Sequence, residues 1–371
     1  MFFDLSDDQE MLRDSVRGFL AQRKSATASH GDADLSAEGR RRQRVAIAEQ
    51  GLVGAMFPEW LGGGGASAVE AVVVAEEFGR VAHPGDLTDG SAAVQAILGA
   101  ARRDHDDLLR DIGRGARSIA WASATFDQCT GKLKTSVVAR ASDNGVTLEG
   151  TVRLVQDADI ADALLVDAAA WDGLAQFVVA PDLPGVRIMP VDTIDVGRAF
   201  FDVSFDQVAL PSSARLGEGD AATAIEAGLA LAAVLTSADS VGAAARALEM
   251  TVAYVNDRIA FGKPIGSFQA VKHRCARMLV LVEAARVAVW RAAIAIQDDA
   301  GTQAAEAVSA AKFYANDAAM TVAGDALQLH GGIGMTWELD LHVLLKRIRI
   351  NGARWGTSAS HRERVAARLR V

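Results

Sequence analysis

The stretch from about residue 117 to 205 constrains the fold more than any other feature. Eight short segments there, 117–124, 135–140, 146–149, 152–155, 163–167, 176–180, 186–189 and 200–205, are rich in Val, Ile, Leu and Phe. Turn residues separate them: Asp143-Asn144-Gly145, Pro181, Pro184-Gly185 and Asp195 to Gly197. Strands this short and this closely spaced predict an all-β sandwich or barrel rather than βαβ units. Both flanks read as helix. Before the β block, Leu12, Val16, Phe19 and Leu20 form one stripe over residues 4–22, and the pattern continues over 36–51, 67–78 and 91–101. After it, long helices are expected over 221–257, 267–298 and 303–329. The fold class is therefore α+β in the order α, β, α. The expected units are a helical domain over 1–115, a β-domain over 116–213 and a helical region over 214–371.

Half of the 371 residues are hydrophobic, enough for a large core. A formal charge of −9 argues against nucleic acid as a partner. Basic residues cluster at Lys346, Arg347 and Arg349 and again from Arg362 to Arg370. A solvated helix face and a site for an anionic cofactor are both compatible with that pattern. Cys129 and Cys275 have no metal or disulfide spacing and fit a reducing cytoplasm. Met1-Phe2-Phe3-Asp4-Leu5-Ser6 lacks the basic start of a signal peptide. No uninterrupted apolar run reaches the ~20 residues of a membrane span. The Ala-rich stretch 221–247 carries Glu226 and Asp239, as a buried helix of a soluble protein would.

Three motifs bear on chemistry. In Arg258-Ile259-Ala260-Phe261-Gly262-Lys263-Pro264-Ile265-Gly266-Ser267-Phe268-Gln269, the glycines and the proline break a helix and allow a turn. Ser267 is placed to cap the next helix, and Arg258 to fork onto a phosphate. The same pattern also serves an ordinary helix–turn–helix whose Arg complements a helix dipole. In Gln328-Leu329-His330-Gly331-Gly332-Ile333-Gly334-Met335-Thr336, a helix ends at a Gly pair that exposes backbone amides. Any helix C-cap can use Gly, so this loop alone is unspecific. The third motif runs from Gly51-Leu52 through Pro58-Glu59 and Gly62 to Gly65, then Glu76-Glu77-Phe78-Gly79-Arg80. It reads as a loop and a surface helix without a catalytic role.

Together, in this order around a β-rich middle, the three motifs closely resemble the acyl-CoA dehydrogenase family, over essentially the whole chain. The resemblance implies a helical domain, a central β-domain and a C-terminal four-helix bundle. It implies FAD, which serves to take a hydride from Cβ of an acyl-CoA while a base takes a proton from Cα. It implies an electron-transfer flavoprotein as acceptor. In the family FAD lies between two subunits. One subunit grips the adenine and pyrophosphate end. Here that role falls on Arg258, Phe261, Gln269, Gln328, Leu329, His330, Gly331, Gly332 and Gly334.

The other half of the site departs from the family pattern. An aromatic residue, two more and then Thr-Glu-Pro are usual; this chain has Trp121-Ala122-Ser123-Ala124-Thr125-Phe126, so Ala124 replaces the Thr. Trp-Ile-Thr-Asn is usual; this chain has Leu154-Val155-Gln156-Asp157, so the flavin-shielding Trp is lost and Asp157 brings a negative charge. The usual Glu-Gly-Thr is Trp355-Gly356-Thr357, and the alternative Glu position on the long helix is Ala232, followed by Ala233. Asp239 is the carboxylate left on that helix, about 10 Å further along nearly the same face. It is either a displaced base or a structural Asp paired with an Arg.

These losses predict a subunit of an α2β2 heterotetramer, similar to the small subunits of actinobacterial steroid side-chain acyl-CoA dehydrogenases. A homologous partner subunit would supply the flavin-ring contacts and the Glu. A self-sufficient dehydrogenase using Asp239, and a non-catalytic scaffold of the same fold, are the alternatives. A steroid side chain and another bulky acyl-CoA fit the residues equally.

Overall fold

A computed structural model describes residues 4–22, 36–85, 87–100, 105–142, 145–298 and 301–369. Met1, Phe2, Phe3, Ala101, Asp143, Asn144 and Arg370 lie outside them. Helices α1 (Asp7–Ala21), α2 (Ala37–Ala48), α3 (Ala68–Arg80), α4 (Thr88–Gly99) and α5 (Asp106–Gly113) come first. Capping boxes start two of them, Ser6 with Gln9 on α1 and Ser67 with Glu70 on α3. The short α5 was not anticipated; its stripe is only Leu108, Leu109 and Ile112 between charged residues.

Ten strands follow: β1 (Ile119–Ala122), β2 (Thr125–Phe126), β3 (Leu133–Lys134), β4 (Val137–Ser142), β5 (Gly145–Gln156), β6 (Ala163–Ala170), β7 (Gly173–Val179), β8 (Val186–Val191), β9 (Phe200–Leu210) and β10 (Arg215–Leu216). Eight of them form one sheet in the order β10-β7-β6-β4-β5-β9-β8, with β1 added parallel to β6. The expected segments 146–149 and 152–155 are a single strand, β5. It shifts register against β9 at Leu148/Gly150 and at Val152/Val155. Such irregularities bend a strand without ending it.

The sheet's period of two decides which core each residue joins. Ile119 and Trp121 of β1 and Ala163 and Leu165 of β6 face the helical core. Their alternates Ala120, Ala122, Leu164 and Val166 face the sheet's own core. Both strands are covered on two sides, which is why they read as unbroken apolar runs.

The C-terminal third contains α6 (Ala222–Asp257), a hairpin of β11 (Ile259–Ala260) and β12 (Lys263–Pro264), α7 (Gln269–Gln297), α8 (Thr302–His330), α9 (Leu341–Asn351) and α10 (Ser358–Leu369). At 36 residues, α6 is about 54 Å long. Its composition would suit a membrane, but 89% of its most apolar window is buried inside the protein. A helix apolar on all sides belongs in a core, and α6 packs on α3, α4, α7, α8 and α9.

The tightest packing is between α3 and α6. A Cβ added to Gly242 would lie 1.9 Å from the Glu76 carbonyl oxygen, and one added to Gly79 would lie 1.9 Å from the Asp239 carbonyl oxygen. The two backbones touch, and only glycine fits. The segment Glu76 to Arg80 is therefore not a surface helix: Glu77, Phe78 and Gly79 are buried. Glu77 is held by Arg17 of α1 at 2.7 Å.

Gly242→Ala is expected to cost about 3 kcal/mol, the upper end for overpacking, because backbone cannot yield as a side chain does. Gly18→Ala is the control. Its Cβ would meet nothing within 4 Å, and a small gain of up to ~1 kcal/mol is expected. Urea denaturation of both variants measures the contrast.

Candidate functional site

The Arg258 segment begins where α6 stops. The Arg258 amide donates to the Tyr254 carbonyl at 2.8 Å, and the chain then turns through the β11–β12 hairpin. The tip is Phe261-Gly262, with φ of 52° and 76°. Two successive left-handed residues make the tight turn that suits a hairpin's twist. Gly262 adopts this freely, but Phe261 does so at a cost of about 1 kcal/mol or more. The turn holds the Phe261 ring 94% exposed. A large aromatic in a strained backbone, aimed at solvent, marks a contact made with something else.

Arg258 and Gln269 are exposed as well, and neither makes an ion pair or side-chain hydrogen bond within the described residues. Ser267 does not cap the next helix; the cap position of α7 is Phe268, without a side-chain hydrogen bond. Its place is in the 3-10 turn over Ile265–Ser267 that precedes α7.

The Gln328 loop meets the same region. The Tyr254 and His330 rings stack at 4.5 Å, one helical turn before Arg258 and at the last residue of α8. His330 is buried, and its Nδ1 lies 2.8 Å from the Ala326 carbonyl oxygen. Leu329 is half-buried beside it. Gln328, Gly331 and Gly332 are exposed, and a Cβ on either glycine would meet nothing within 4 Å. The surface around them is open to an approaching ligand. Gly334 instead packs on His330 and Leu327 and fixes the loop. The structure thus brings the two motifs together through Tyr254, which lies outside both of them. An aromatic four residues before the Arg was the signal.

A cavity of about 390 Å³ lies on the sheet side, lined by Trp121, Ala124, Thr125, Leu154, Arg354 and Trp355 among others. None of its lining residues among the described ones is a carboxylate. Trp355 has φ 58° and is nearly buried, and its ring lies 5.6 Å from that of Trp121. Trp121 Nε1 donates to Asp167 at 3.1 Å, and the Ala124 amide and Gln176 donate to the same carboxylate at 2.8 Å. Burial pushes Asp167 up to about 6. Leu154, in the place of the missing Trp, has φ 59°. Asp157 does not face this cavity. It pairs with Arg40 of α2 at 2.9 Å, and burial pushes its carboxyl up to about 6. It therefore brings no unpaired negative charge to the wall of this cavity.

Asp239 is buried at the junction of all three parts of the chain. Arg347 of α9 donates to it through Nε at 3.0 Å and Nη2 at 2.8 Å, and Asn351 Nδ2 donates at 2.6 Å. Arg347 also donates to the His83 carbonyl at 3.0 Å. Arg198 ties Asp195 at 2.7 Å to Asn351 Oδ1 at 2.8 Å. Although burial works the other way, Arg347 holds Asp239 below the usual carboxylate range. An ionised carboxylate with its lone pairs occupied is a poor base. Asp239 lines neither this cavity nor the next, so its geometry is that of a structural ion pair. Arg347 in turn is neither on a solvated face nor free for an anionic cofactor. Ala232 and Ala233, fully buried in α6, line neither of these cavities.

A second cavity, of about 600 Å³, lies between α6, α8 and α10. Its walls include Leu229, Leu231 and Val308, with His361 and Arg364 from α10. Its one carboxylate among the described residues, Glu226, lies 3.7 Å from Arg364. The Arg364 guanidinium sits 3.9 Å above the Phe126 ring and donates to the Gly131 carbonyl at 3.0 Å.

Comparison with known proteins agrees with this layout. Residues 6–101 match the family model for the acyl-CoA dehydrogenase N-terminal domain, and residues 221–370 match the one for the C-terminal domain. Acyl-CoA dehydrogenase IpdE2 of Mycolicibacterium smegmatis is 30% identical over 92% of this chain and 93% of its own length. Acyl-CoA dehydrogenase FadE34 of Mycobacterium tuberculosis is 32% identical over 99% of this chain but only 48% of its own. A solved variant of the Tcur3481-Tcur3483 steroid ACAD superposes with a TM-score of 0.88 at 26% identity, covering 98% of each chain.

Two outcomes follow from the buried groups. Asp239→Asn strands the Arg347 charge and is expected to cost about 3–5 kcal/mol in urea denaturation. His361 is held down to about 4, mainly by burial, below its usual 6.5. A depressed pKa gives stability that is present above pH 6.5 and lost as the pH falls through 4. Across that window the loss attributable to His361 is about 3 kcal/mol at most. The pH dependence of unfolding should flatten there in His361→Gln.

Proposed function

Because the chain belongs to the acyl-CoA dehydrogenase family, we propose that it is one subunit of an α2β2, FAD-dependent acyl-CoA dehydrogenase acting on a bulky acyl-CoA of the steroid class. One observation carries the reading. The half-site for the adenine and pyrophosphate end is exposed and unspent, while the cavity on the sheet side has Trp355 in the base's place and no carboxylate in its wall. A chain that keeps one half of a shared site and lacks the other works in a pair.

In that pair Arg258 neutralises phosphate charge with a forked pair of N–H groups. Phe261 offers an aromatic face from the hairpin tip, and the bare backbone at Gly331 and Gly332 lets a ligand come close. Gln269 and Gln328 are the exposed amide side chains beside it. Bound FAD supplies the two-electron acceptor for the hydride from Cβ, with an electron-transfer flavoprotein downstream. The partner supplies the Glu that takes the Cα proton, since no group here is placed for it. The half-length match to FadE34 is consistent with one chain carrying two such units. The paired name of the Tcur3481-Tcur3483 steroid ACAD supports two polypeptides and the substrate class.

A self-sufficient enzyme using Asp239 has the ion pair against it, since Arg347 would have to leave before the carboxylate could accept a proton. A scaffold without cofactor leaves the strained, exposed Phe261 and the unpaired Arg258 without a purpose.

Co-purification with the partner should yield one FAD per heterodimer by absorbance and mass. One FAD in every chain, with turnover by this polypeptide alone, would overturn the reading. Arg258→Ala should weaken FAD retention by about 10- to 100-fold while leaving the tetramer's mass unchanged.

A further inference from the structure

We propose that Tyr254 and His330 act together as positioning residues for the cofactor. Their stacked rings hold the Arg258 segment and the Gln328 loop at the spacing one dinucleotide bridges, and that role rests on reading the two segments as the FAD half-site. The rings lie 4.5 Å apart, with their planes 22° from parallel. Stacking of this kind is directional, since sliding or tilting either ring loses the overlap. Tyr254 stands in the last turn of α6 and His330 is the last residue of α8. The stack therefore joins two helix ends, where backbone hydrogen bonds run out and the chain frays most easily.

Each ring is tied firmly to the arm it carries. The Tyr254 carbonyl accepts the Arg258 amide at 2.8 Å, and the Arg258 carbonyl accepts the Ile265 amide at 2.8 Å. A Cβ on Gly266 would come within 3.0 Å of the Val255 carbonyl oxygen, so the turn before α7 lies directly on the last turn of α6. Tyr254, Arg258 and the Phe261 hairpin thus form one packed unit. On the other side, His330 Nδ1 donates to the Ala326 carbonyl at 2.8 Å and pins its ring. Gly334 folds back on His330, where an added Cβ would lie 3.0 Å from the His330 Cβ. The exposed Gly331 and Gly332 stand between these two anchors. The ring contact ties the two stiff arms together at their tips. A ligand held at two points is bound tightly when those points already stand at the right separation. Tyr254 and His330 need touch no cofactor atom for this, because each acts through the arm behind it.

The test titrates FAD into the deflavinated complex of this chain with its partner and reads flavin fluorescence. Tyr254→Leu and His330→Leu should each weaken FAD by about 3- to 10-fold, the worth of one aromatic pair. Tyr254→Phe, which keeps the ring, should stay within about 2-fold of the wild type. The double variant should be no weaker than the weaker single one, because the two rings make one contact. Arg258→Ala should lose about 3-fold less affinity in Tyr254→Leu than in the wild-type chain, since a guanidinium already out of place has less to give up. Ring packing without a positioning role would lower the unfolding temperature and leave the Arg258→Ala loss equal in both backgrounds, and that result overturns the proposal. So does unchanged FAD affinity in both single variants, or Tyr254→Phe binding as weakly as Tyr254→Leu. If Tyr254→Leu fails to assemble, His330→Leu carries the same cycle with Arg258→Ala. Should Arg258→Ala itself leave FAD retention unchanged, the half-site reading and this proposal fall together. An Arg258 effect with no effect at Tyr254 or His330 overturns the proposal alone.

Discussion

The ion pair between Asp239 and Arg347 is the contact on which the three parts of the chain converge. Asp239 comes from the middle of α6, Arg347 and Asn351 from α9, Asp195 and Arg198 from the loop between β8 and β9, and the His83 carbonyl from the end of α3. Arg354, just past α9, extends the cluster to Asp89 of α4 and to Gln156 at the end of β5. Three carboxylates face three guanidiniums. Lys312, whose Nζ donates to the Asn351 carbonyl at 2.8 Å, is pushed down to about 7 by burial and Arg354. Such a cluster is weak evidence for net stability, because desolvation offsets much of the attraction. Its stringency lies in geometry: each charge is tolerable only when its partners from other elements are in place.

Close packing around α6 makes that geometry possible. The contact of Gly79 and Gly242 brings α3 against α6 backbone to backbone, and the alanines of α6 let α7 and α8 approach its other sides. Buried hydroxyls along α6 are satisfied inside the helix. Ser237 donates to the Ala233 carbonyl and Thr251 to that of Ala247, each at 2.7 Å. The result is a rigid rod whose C-terminal end carries Arg258 and whose N-terminal end walls the second cavity. The same helix therefore positions both the exposed Arg258 segment and the second cavity.

Those two sites differ in what they leave unfinished. At the hairpin, Phe261 is strained and exposed while Arg258 has no partner among the described residues, so the incompleteness faces outward. At His361 it lies inside the protein, where the ring's Nδ1 is buried without a hydrogen-bond partner among the described residues. Between them, the Trp355 ring packs 5.6 Å from that of Trp121, whose Nε1 donates to Asp167.

By itself the sequence determined the α, β, α order, the long helices, the two motifs and the absence of a carboxylate at Trp355 and Ala232. Each of these is local: periodicity, turn chemistry and residue type at a position are readable within a few neighbours. The structure alone decided how distant residues meet. No pattern around Asp239 names Arg347 as its partner, 108 residues away. The segment Glu76 to Arg80 reads as a surface helix because its burial depends on Gly242, far along the chain. Nothing near Asp157 in the chain names Arg40 of α2 as its partner, 117 residues away. The orphan Nδ1 of His361 could not be read from sequence at all, since it is defined by the absence of a neighbour in space. Burial, pairing and enclosure are properties of what surrounds a residue, and the chain fixes those surroundings only when it folds.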